Sequence, residues 1–156
     1  MSTPATNVSG MYFEDFEVGQ KLSTAARTVT ETDIVMFAGL TGDYNQIHVD
    51  AEYSQTTPFG ARVAHGLLGL SFASCLIVQT GIMQGTIMAF REINEWKFIK
   101  PIFIGDTVHV ETDVLVTKAL PRIGGGSVNL QLELKNQKDE VLMKGVWTAL
   151  FLSRPS

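Results

Sequence analysis

Apolar and polar residues alternate most regularly in residues 126–135. Every second side chain there is apolar: Val128, Leu130, Leu132 and Leu134. A period of two is typical of a β-strand that turns one face towards a core and the other towards water. Less regular stretches rich in β-forming residues predict further strands at 21–30, 86–93, 95–100, 107–118 and 141–152. The polar residues 136–140 predict the turn of a hairpin.

Other segments carry the signals of helices. Thr30 and Asp33 have the spacing of a capping box, and apolar residues then recur three and four positions apart until Gly39 and Gly42 end the pattern. Small and apolar residues, without Asp, Glu, Lys or Arg, fill 63–80. This stretch predicts one long central helix that is buried on most sides.

The order of these elements predicts an α+β fold with an antiparallel sheet and a single domain, because the strands follow one another after the helices instead of alternating with them. We expect the domain to cover 11–152, with residues 1–10 as a flexible N-terminal tail and 153–156 as a C-terminal tail. No linker-like composition divides the chain.

The composition of the chain argues against several classes of function. With 45% hydrophobic residues the chain can bury a core, and a net charge of −4 with scattered basic residues argues against binding to nucleic acid. A single cysteine, Cys75, excludes a disulfide framework and a cysteine-based zinc cluster. The apolar runs are too short to span a bilayer, and no secretory leader is evident. We therefore expect a soluble, cytoplasmic protein without a membrane partner.

The segment 37–48 (FAGLTGDYNQIH) carries the candidate chemistry. On a continuous helix Asp43 and His48 would point roughly 140° apart. Gly42 and Asn45 favour a turn, which can direct both side chains into one pocket. A carboxylate and an imidazole acting on the same water suit the hydration of an activated double bond without a metal. The alternative is structural: Asp43 caps the turn and His48 is a half-buried, hydrogen-bonded histidine.

The same segment resembles the signature of the MaoC-like dehydratases and (R)-specific enoyl-CoA hydratases, an aromatic residue followed by Gly-Asp-x-Asn-Pro-x-His. The matching residues are Phe37, Gly42, Asp43, Asn45, Ile47 and His48. Residues 12–19 (YFEDFEVG), 64–66 (AHG) and 98–107 (FIKPIFIGDT) resemble further parts of that family, so the similarity spans 11–152. Gln46 departs from the pattern, since the family usually has Pro there, which leaves the loop less rigid.

The resemblance implies a hot-dog fold, in which the sheet wraps around the helix at 63–80 and subunits pair as a homodimer or higher oligomer. It also implies an acid–base pair of Asp43 and His48 that acts on one water, with Asn45 supporting the loop. The backbone N–H of Gly66 would stabilise the thioester oxygen.

Further residues have a functional and a structural interpretation. Ser74 matches a serine that the family places beside the pair, or it is a small residue that permits close packing. His65 belongs to the matching 64–66 segment, or it serves as a helix-entry residue. Phe37 can line an acyl tunnel or the core. Arg62, like other basic residues, can bind coenzyme A phosphates or lie at the surface; these others are Lys97, Lys100 and Arg122.

The expected activity is reversible hydration of trans-2-enoyl-CoA to (R)-3-hydroxyacyl-CoA in fatty acid metabolism, with no metal and no cofactor beyond the coenzyme A of the substrate. Three alternatives remain open: a hot-dog acyl-CoA thioesterase, a 3-hydroxyacyl-acyl-carrier-protein dehydratase and a non-catalytic acyl-CoA sensor. The thioesterases of this fold generally place an acid on the central helix. Residues 63–80 contain none, which favours hydration.

Overall fold

The computed structural model describes residues 10–155, which form one antiparallel sheet and several helices. The strands are β1 (Lys21–Ser23), β2 (Arg27–Thr28), β3 (Ile87–Phe98), β4 (Thr107–Leu120), β5 (Gly125–Lys135) and β6 (Val141–Leu152). Their order across the sheet is β1-β4-β5-β6-β3, and β2 also pairs with β4. The strand β3 therefore lies at one edge of the sheet.

Four α-helices lie between β2 and β3 in the described chain: α1 (Glu31–Thr41), α2 (Gln46–Val49), α3 (Ala51–Gln55) and α4 (Gly66–Gln79). The helix α4 is the central one, and its residues Leu68, Phe72 and Leu76 share one core with the inward side chains of β4, β5 and β6. The predicted α+β hot-dog arrangement, a single domain with an antiparallel sheet around one long helix, is confirmed.

The structure also confirms the predictions made from local sequence patterns. The four alternating apolar residues of β5 are all fully buried, as the period of two predicts. Thr30 caps α1 by accepting the N–H of Asp33, and the Asp33 carboxylate accepts the N–H of Thr30 in return. The N–H of Asn136 donates to the carbonyl of Glu140 across the predicted hairpin.

The central helix starts later than predicted. It begins at Gly66 instead of residue 63, because Val63 forms a β-bridge with Phe103 and residue 64 donates its N–H to residue 102, which keeps the chain extended. It is buried on most sides, as predicted, apart from one stripe. A stripe of one face is exposed to solvent: Leu67, Ser71, Ser74 and Val78.

Two strand predictions were also inaccurate. The stretches 86–93 and 95–100 form the single strand β3, in which Glu95 has a φ of 51° and the register with β6 shifts between Asn94 and Lys97. This irregularity is a bulge within one strand, and it requires Gly145 opposite, since a Cβ there would lie 2.6 Å from the Trp96 ring. The predicted strand 21–30 is divided into β1 and β2.

The ends of the described chain are tied to the domain. Gly10 is buried and donates its N–H to the carbonyl of Gln84, while residues 1–9 of the predicted N-terminal tail lie outside the described residues. Ser153 donates to the carbonyl of Gly124, and Arg154 forms an ion pair with Asp15. Within residues 10–155, no helix is both long and apolar enough to cross a membrane.

Candidate functional site

The turn between α1 and α2 places Asp43. Gly42 ends α1 in the left-handed conformation, with a φ of 79°, and the chain then reverses. The Asp43 carboxylate accepts the N–H of Asn45 at 3.3 Å, and the Asn45 side chain accepts the N–H of Ile47 at 3.2 Å. Asn45 is thereby the N-cap of the short helix α2, which the sequence did not predict. Asp43 therefore stabilises the turn, and its side chain is exposed.

His48 lies in α2 with only 7% of its surface exposed. Its Nδ1 is 2.7 Å from the carbonyl oxygen of Val63. A carbonyl only accepts hydrogen bonds, so Nδ1 carries the hydrogen, and in the neutral ring Nε2 keeps its lone pair. The extended segment that shortened α4 thus sets the tautomer of this histidine.

His65, the N-cap residue of α4, is the second buried imidazole of the site, with 2% of its surface exposed. Its Nε2 donates to the backbone carbonyl of Asp43 at 2.9 Å. Its ring stacks on that of His48 with 3.8 Å between centroids. The centroid of the Phe37 ring lies 4.9 Å from that of His65, with 51° between the two ring planes. Nδ1 of His65 is buried without a hydrogen-bond partner.

These residues converge. The carboxylate of Asp43 and one ring nitrogen each of His48 and His65 lie within 4.8 Å of one another, with the two histidines buried and Asp43 exposed. We name this group the Asp43–His48–His65 cluster. The turn therefore brings together the two side chains that a continuous helix would have separated.

A cavity of about 410 Å³ adjoins the cluster, and His48 and Gly66 both line it. Its other walls are mainly apolar and include Phe98 and Met143. Gly66 is the first residue of α4, whose N-terminus has no side-chain cap. The N-terminal N–H groups of a helix attract negative charge, so the cavity combines an imidazole with an anion-stabilising helix end.

Comparisons with known proteins identify the family of the chain. A family model described as MaoC like domain matches residues 15–132. The chain belongs to the MaoC-like family. This MaoC-like chain is 42% identical over 110 residues to the (R)-specific enoyl-CoA hydratase of Rhodospirillum rubrum, a match that covers 70% of this chain and 72% of that protein.

Two further relatives support the same class. The 3-hydroxybutyryl-CoA dehydratase of Methylorubrum extorquens is 36% identical over 104 residues, which cover 67% of this chain and 64% of that protein. The crystal structure of a MaoC-like dehydratase from Rhodospirillum rubrum matches with a TM-score of 0.82 and 30% identity, covering 94% of this chain and 100% of the other. The curated relatives are hydro-lyases by name, and the MaoC-like chain is an enzyme of that class.

Not every predicted site residue reaches the cavity beside His48. Arg62 forms an ion pair with Glu31 at 2.7 Å and lines a different cavity. Ser74, about 12 Å further along α4 than Gly66 at 1.5 Å per residue, faces a third cavity beside Trp147. Phe37 contacts the ring of His65 instead of a tunnel wall. Within one chain, these three side chains do not join His48.

Lys100 is the charged residue among the described residues that line the His48 cavity. Its ammonium donates to Glu140 at 2.7 Å, and this hydrogen bond lowers the pKa of Glu140. The sequence singled out Lys100 only as one of several basic residues. Its place at the cavity depends on the turn after β3, which no local pattern reveals.

The geometry also bears on metal binding. An imidazole binds a metal through a lone pair in the ring plane, but the rings of His48 and His65 are stacked with only 28° between their planes. The cluster therefore suits hydrogen bonding better than chelation.

A second group with donor atoms for a metal contains His109, Glu111 and Asp139. The ammonium of Lys135 already contacts both carboxylates, at 2.7 Å and 3.4 Å. The hydrogen bond to Glu111 raises the pKa of Lys135. The amine therefore occupies the position that a cation would take.

Proposed function

We propose that this MaoC-like protein catalyses the reversible addition of water to a trans-2-enoyl-CoA, which gives the (R)-3-hydroxyacyl-CoA. One observation carries the proposal: the Asp43 carboxylate and a ring nitrogen of His48 converge within 4.8 Å, beside a mainly apolar cavity. The hydratase and dehydratase names of the relatives support the same reaction class.

The pair supplies two acceptors for one water molecule. Because Nδ1 of His48 donates to Val63, its Nε2 is the nitrogen left to accept a hydrogen bond from water. The Asp43 carboxylate accepts the second hydrogen of the same water. With both hydrogens held, the water oxygen directs a lone pair at the substrate, which is the arrangement that general base catalysis requires.

The proton balance needs no further reactant. The water oxygen forms a bond to C3 of the enoyl group, and the proton that the water loses passes to the Asp43–His48 pair. The π electrons move to C2 and the thioester oxygen, and the pair returns the proton to C2. Addition of both groups from one side follows, because one pair handles both transfers. Dehydration is the reverse sequence.

The thioester oxygen becomes negative as water adds, and the N-terminus of α4 is the group placed to stabilise it. The N–H of Gly66 lies at this helix end and at the same cavity as His48. A fixed donor aimed at a developing oxyanion contributes about 10²–10³-fold to kcat. Glycine also leaves room for the Phe98 ring, since a Cβ on Gly66 would lie 2.9 Å from it.

The coenzyme A part of the substrate would leave the cavity past Lys100, whose ammonium can exchange Glu140 for a phosphate group. A thioesterase is disfavoured by the same structure, because residues 66–79 of α4 carry no carboxylate to activate water at the thioester carbonyl.

We also infer that two chains pair through β3. This strand lies at the sheet edge, where unpaired backbone groups favour a partner strand. Its exposed apolar side chains include Phe90 at 49% and Phe98 at 55% exposure. Light scattering should therefore give a mass at least twice that of one chain, and a monomer would contradict this part of the proposal.

The direct test is incubation with crotonyl-CoA while the enoyl absorbance, the chirality of the product and free thiol are followed. We expect loss of the enoyl group, (R)-3-hydroxybutyryl-CoA and no thiol. Release of thiol without hydration would indicate a thioesterase, and no turnover at all would indicate a binding protein. Faster turnover of crotonyl-acyl-carrier protein would identify a carrier-protein dehydratase.

Variants assign the reaction to the pair. Asp43→Asn should lower kcat by about 10²–10⁴-fold with the fold intact, because it removes a general base. His109→Gln is the control, since His109 lies on β4 away from the cavity and contacts Glu111. Turnover by Asp43→Asn equal to that of the control would remove Asp43 from its role.

A further inference from the structure

His65 is a buried histidine that the proposed reaction does not use directly, yet it contacts both members of the proposed pair. Its Nε2–H donates to the backbone carbonyl of Asp43, and its ring stacks on His48. The backbone of Asp43 and the ring of His48 are thus joined by one side chain.

The hydrogen bonding of His65 fixes its protonation pattern. Since Nε2 faces a carbonyl, the hydrogen lies on Nε2, and Nδ1 holds a lone pair that is buried without a partner. A buried acceptor without a partner is unfavourable. An apolar side chain would avoid this cost if position 65 served only for packing. The donor at Nε2 is the feature of this side chain that an apolar residue cannot replace.

Besides the bond from His65, few hydrogen bonds restrain the turn at Asp43. Asp43 donates its N–H to the Thr41 hydroxyl and accepts the N–H of Asn45 on its carboxylate, both at 3.3 Å, and its side chain is exposed. The bond from His65 joins this turn to the N-terminus of α4, from which Gly66 also projects.

We propose that His65 is a positioning residue for the hydration reaction: its Nε2–H fixes the backbone of Asp43, and its ring supports His48, so that both act on the same water. This inference rests on the proposed function. It assigns no contact between His65 and the substrate. Losing the restraint should lower kcat, since a misplacement of about 1 Å can cost 10²-fold, while substrate binding is retained.

Two amide substitutions separate the donor from the bulk of the side chain. The amide nitrogen of glutamine reaches the position of Nε2, so His65→Gln keeps the donor to Asp43. The amide of asparagine reaches only the position of Nδ1, so His65→Asn loses that donor. His65→Phe keeps a ring against His48 and also loses the donor.

With crotonyl-CoA we expect His65→Asn and His65→Phe to lose about 10²-fold in kcat with KM within about threefold, and His65→Gln to retain kcat within about fivefold. Val128→Ala, which removes methyl groups from the core on β5, controls for a general loss of stability. His65 would have a purely structural role if all three variants lost kcat equally and if this loss followed their melting temperatures, as it does in Val128→Ala. Wild-type kcat in His65→Asn and His65→Phe would show the same.

A second measurement tests whether His65 acts through Asp43. In an Asp43→Asn background, His65→Asn should cost less than about threefold in kcat, because the restrained group no longer functions. A full additional loss would overturn the proposal. Failure of the proposed function has a different signature: the wild-type protein would not hydrate crotonyl-CoA, or Asp43→Asn alone would leave hydration unchanged.

Discussion

Replacing Gly66 separates the proposed oxyanion donor from every other property of the site. Gly66→Pro deletes the backbone N–H, whereas Gly66→Ala keeps it. Both add a Cβ that would lie 2.9 Å from the same atom of the Phe98 ring. The alanine variant therefore controls for this steric contact.

The structure predicts that the proline variant folds. Gly66 is the first residue of α4, a position at which proline is favoured because its N–H makes no bond within the helix. The preceding residue, His65, has a φ of −57° and a ψ of 138°, which is the extended conformation that a following proline requires. The free energy of unfolding should change by less than about 1 kcal/mol.

The loss of one oxyanion donor costs about 10²–10³-fold in kcat, or about 3–4 kcal/mol. We expect Gly66→Pro to fall by about 10²-fold below Gly66→Ala in crotonyl-CoA hydration, since the N–H groups of residues 67 and 68 remain. Circular dichroism and urea unfolding check the fold. Equal kcat for the two variants, both folded, would refute the assignment of the oxyanion site to Gly66.

Two further predictions concern charge. Burial alone would raise the pKa of the Asp33 carboxyl, but hydrogen bonds from Thr30 and Arg27 lower it below the ordinary value of 3.8. The contribution of Asp33 to stability is therefore complete above pH 3.8 and is lost as the pH falls through the lower pKa of the folded state. Asp33→Asn should thus lower the free energy of unfolding by about 1 kcal/mol at pH 7 and by less at pH 3, measured with urea; an equal loss at both pH values would contradict this. Lys100→Gln should raise KM for crotonyl-CoA about threefold to tenfold, because it removes an ion pair with a phosphate that is worth about 1 kcal/mol. The KM for crotonyl-N-acetylcysteamine, which has no phosphate, should not change. Arg62 pairs with Glu31, so Arg62→Gln should leave both KM values unchanged. A rise in KM equal to that of Lys100→Gln would contradict the placement of Lys100 beside the coenzyme A phosphates.

The parts of the fold that the sequence predicted are those that neighbouring residues decide. The alternation in β5 depends only on which face of a strand is buried, and the capping box of α1 joins residues three positions apart. The turn that brings Asp43 towards His48 was also predictable, because Gly42 and Asn45 favour the required backbone on their own.

The remaining features depend on residues distant in the sequence. The start of α4 was misplaced because Val63 pairs with Phe103, and the tautomer of His48 depends on the carbonyl of Val63, which residue identity does not reveal. The contact of His65 with Asp43 spans 22 positions. Only the folded chain shows that this histidine belongs to the cluster.

The central claim is that Asp43 and His48 act on one water, and a double-mutant cycle on kcat tests it most directly. His48→Asn suits the cycle, because its amide can still donate to Val63 while Nε2 is lost. We predict that Asp43→Asn and His48→Asn each cost about 10²–10⁴-fold and that the double variant loses little beyond the worse single one. Losses that multiply would contradict the account, because they would mean that the two groups act independently.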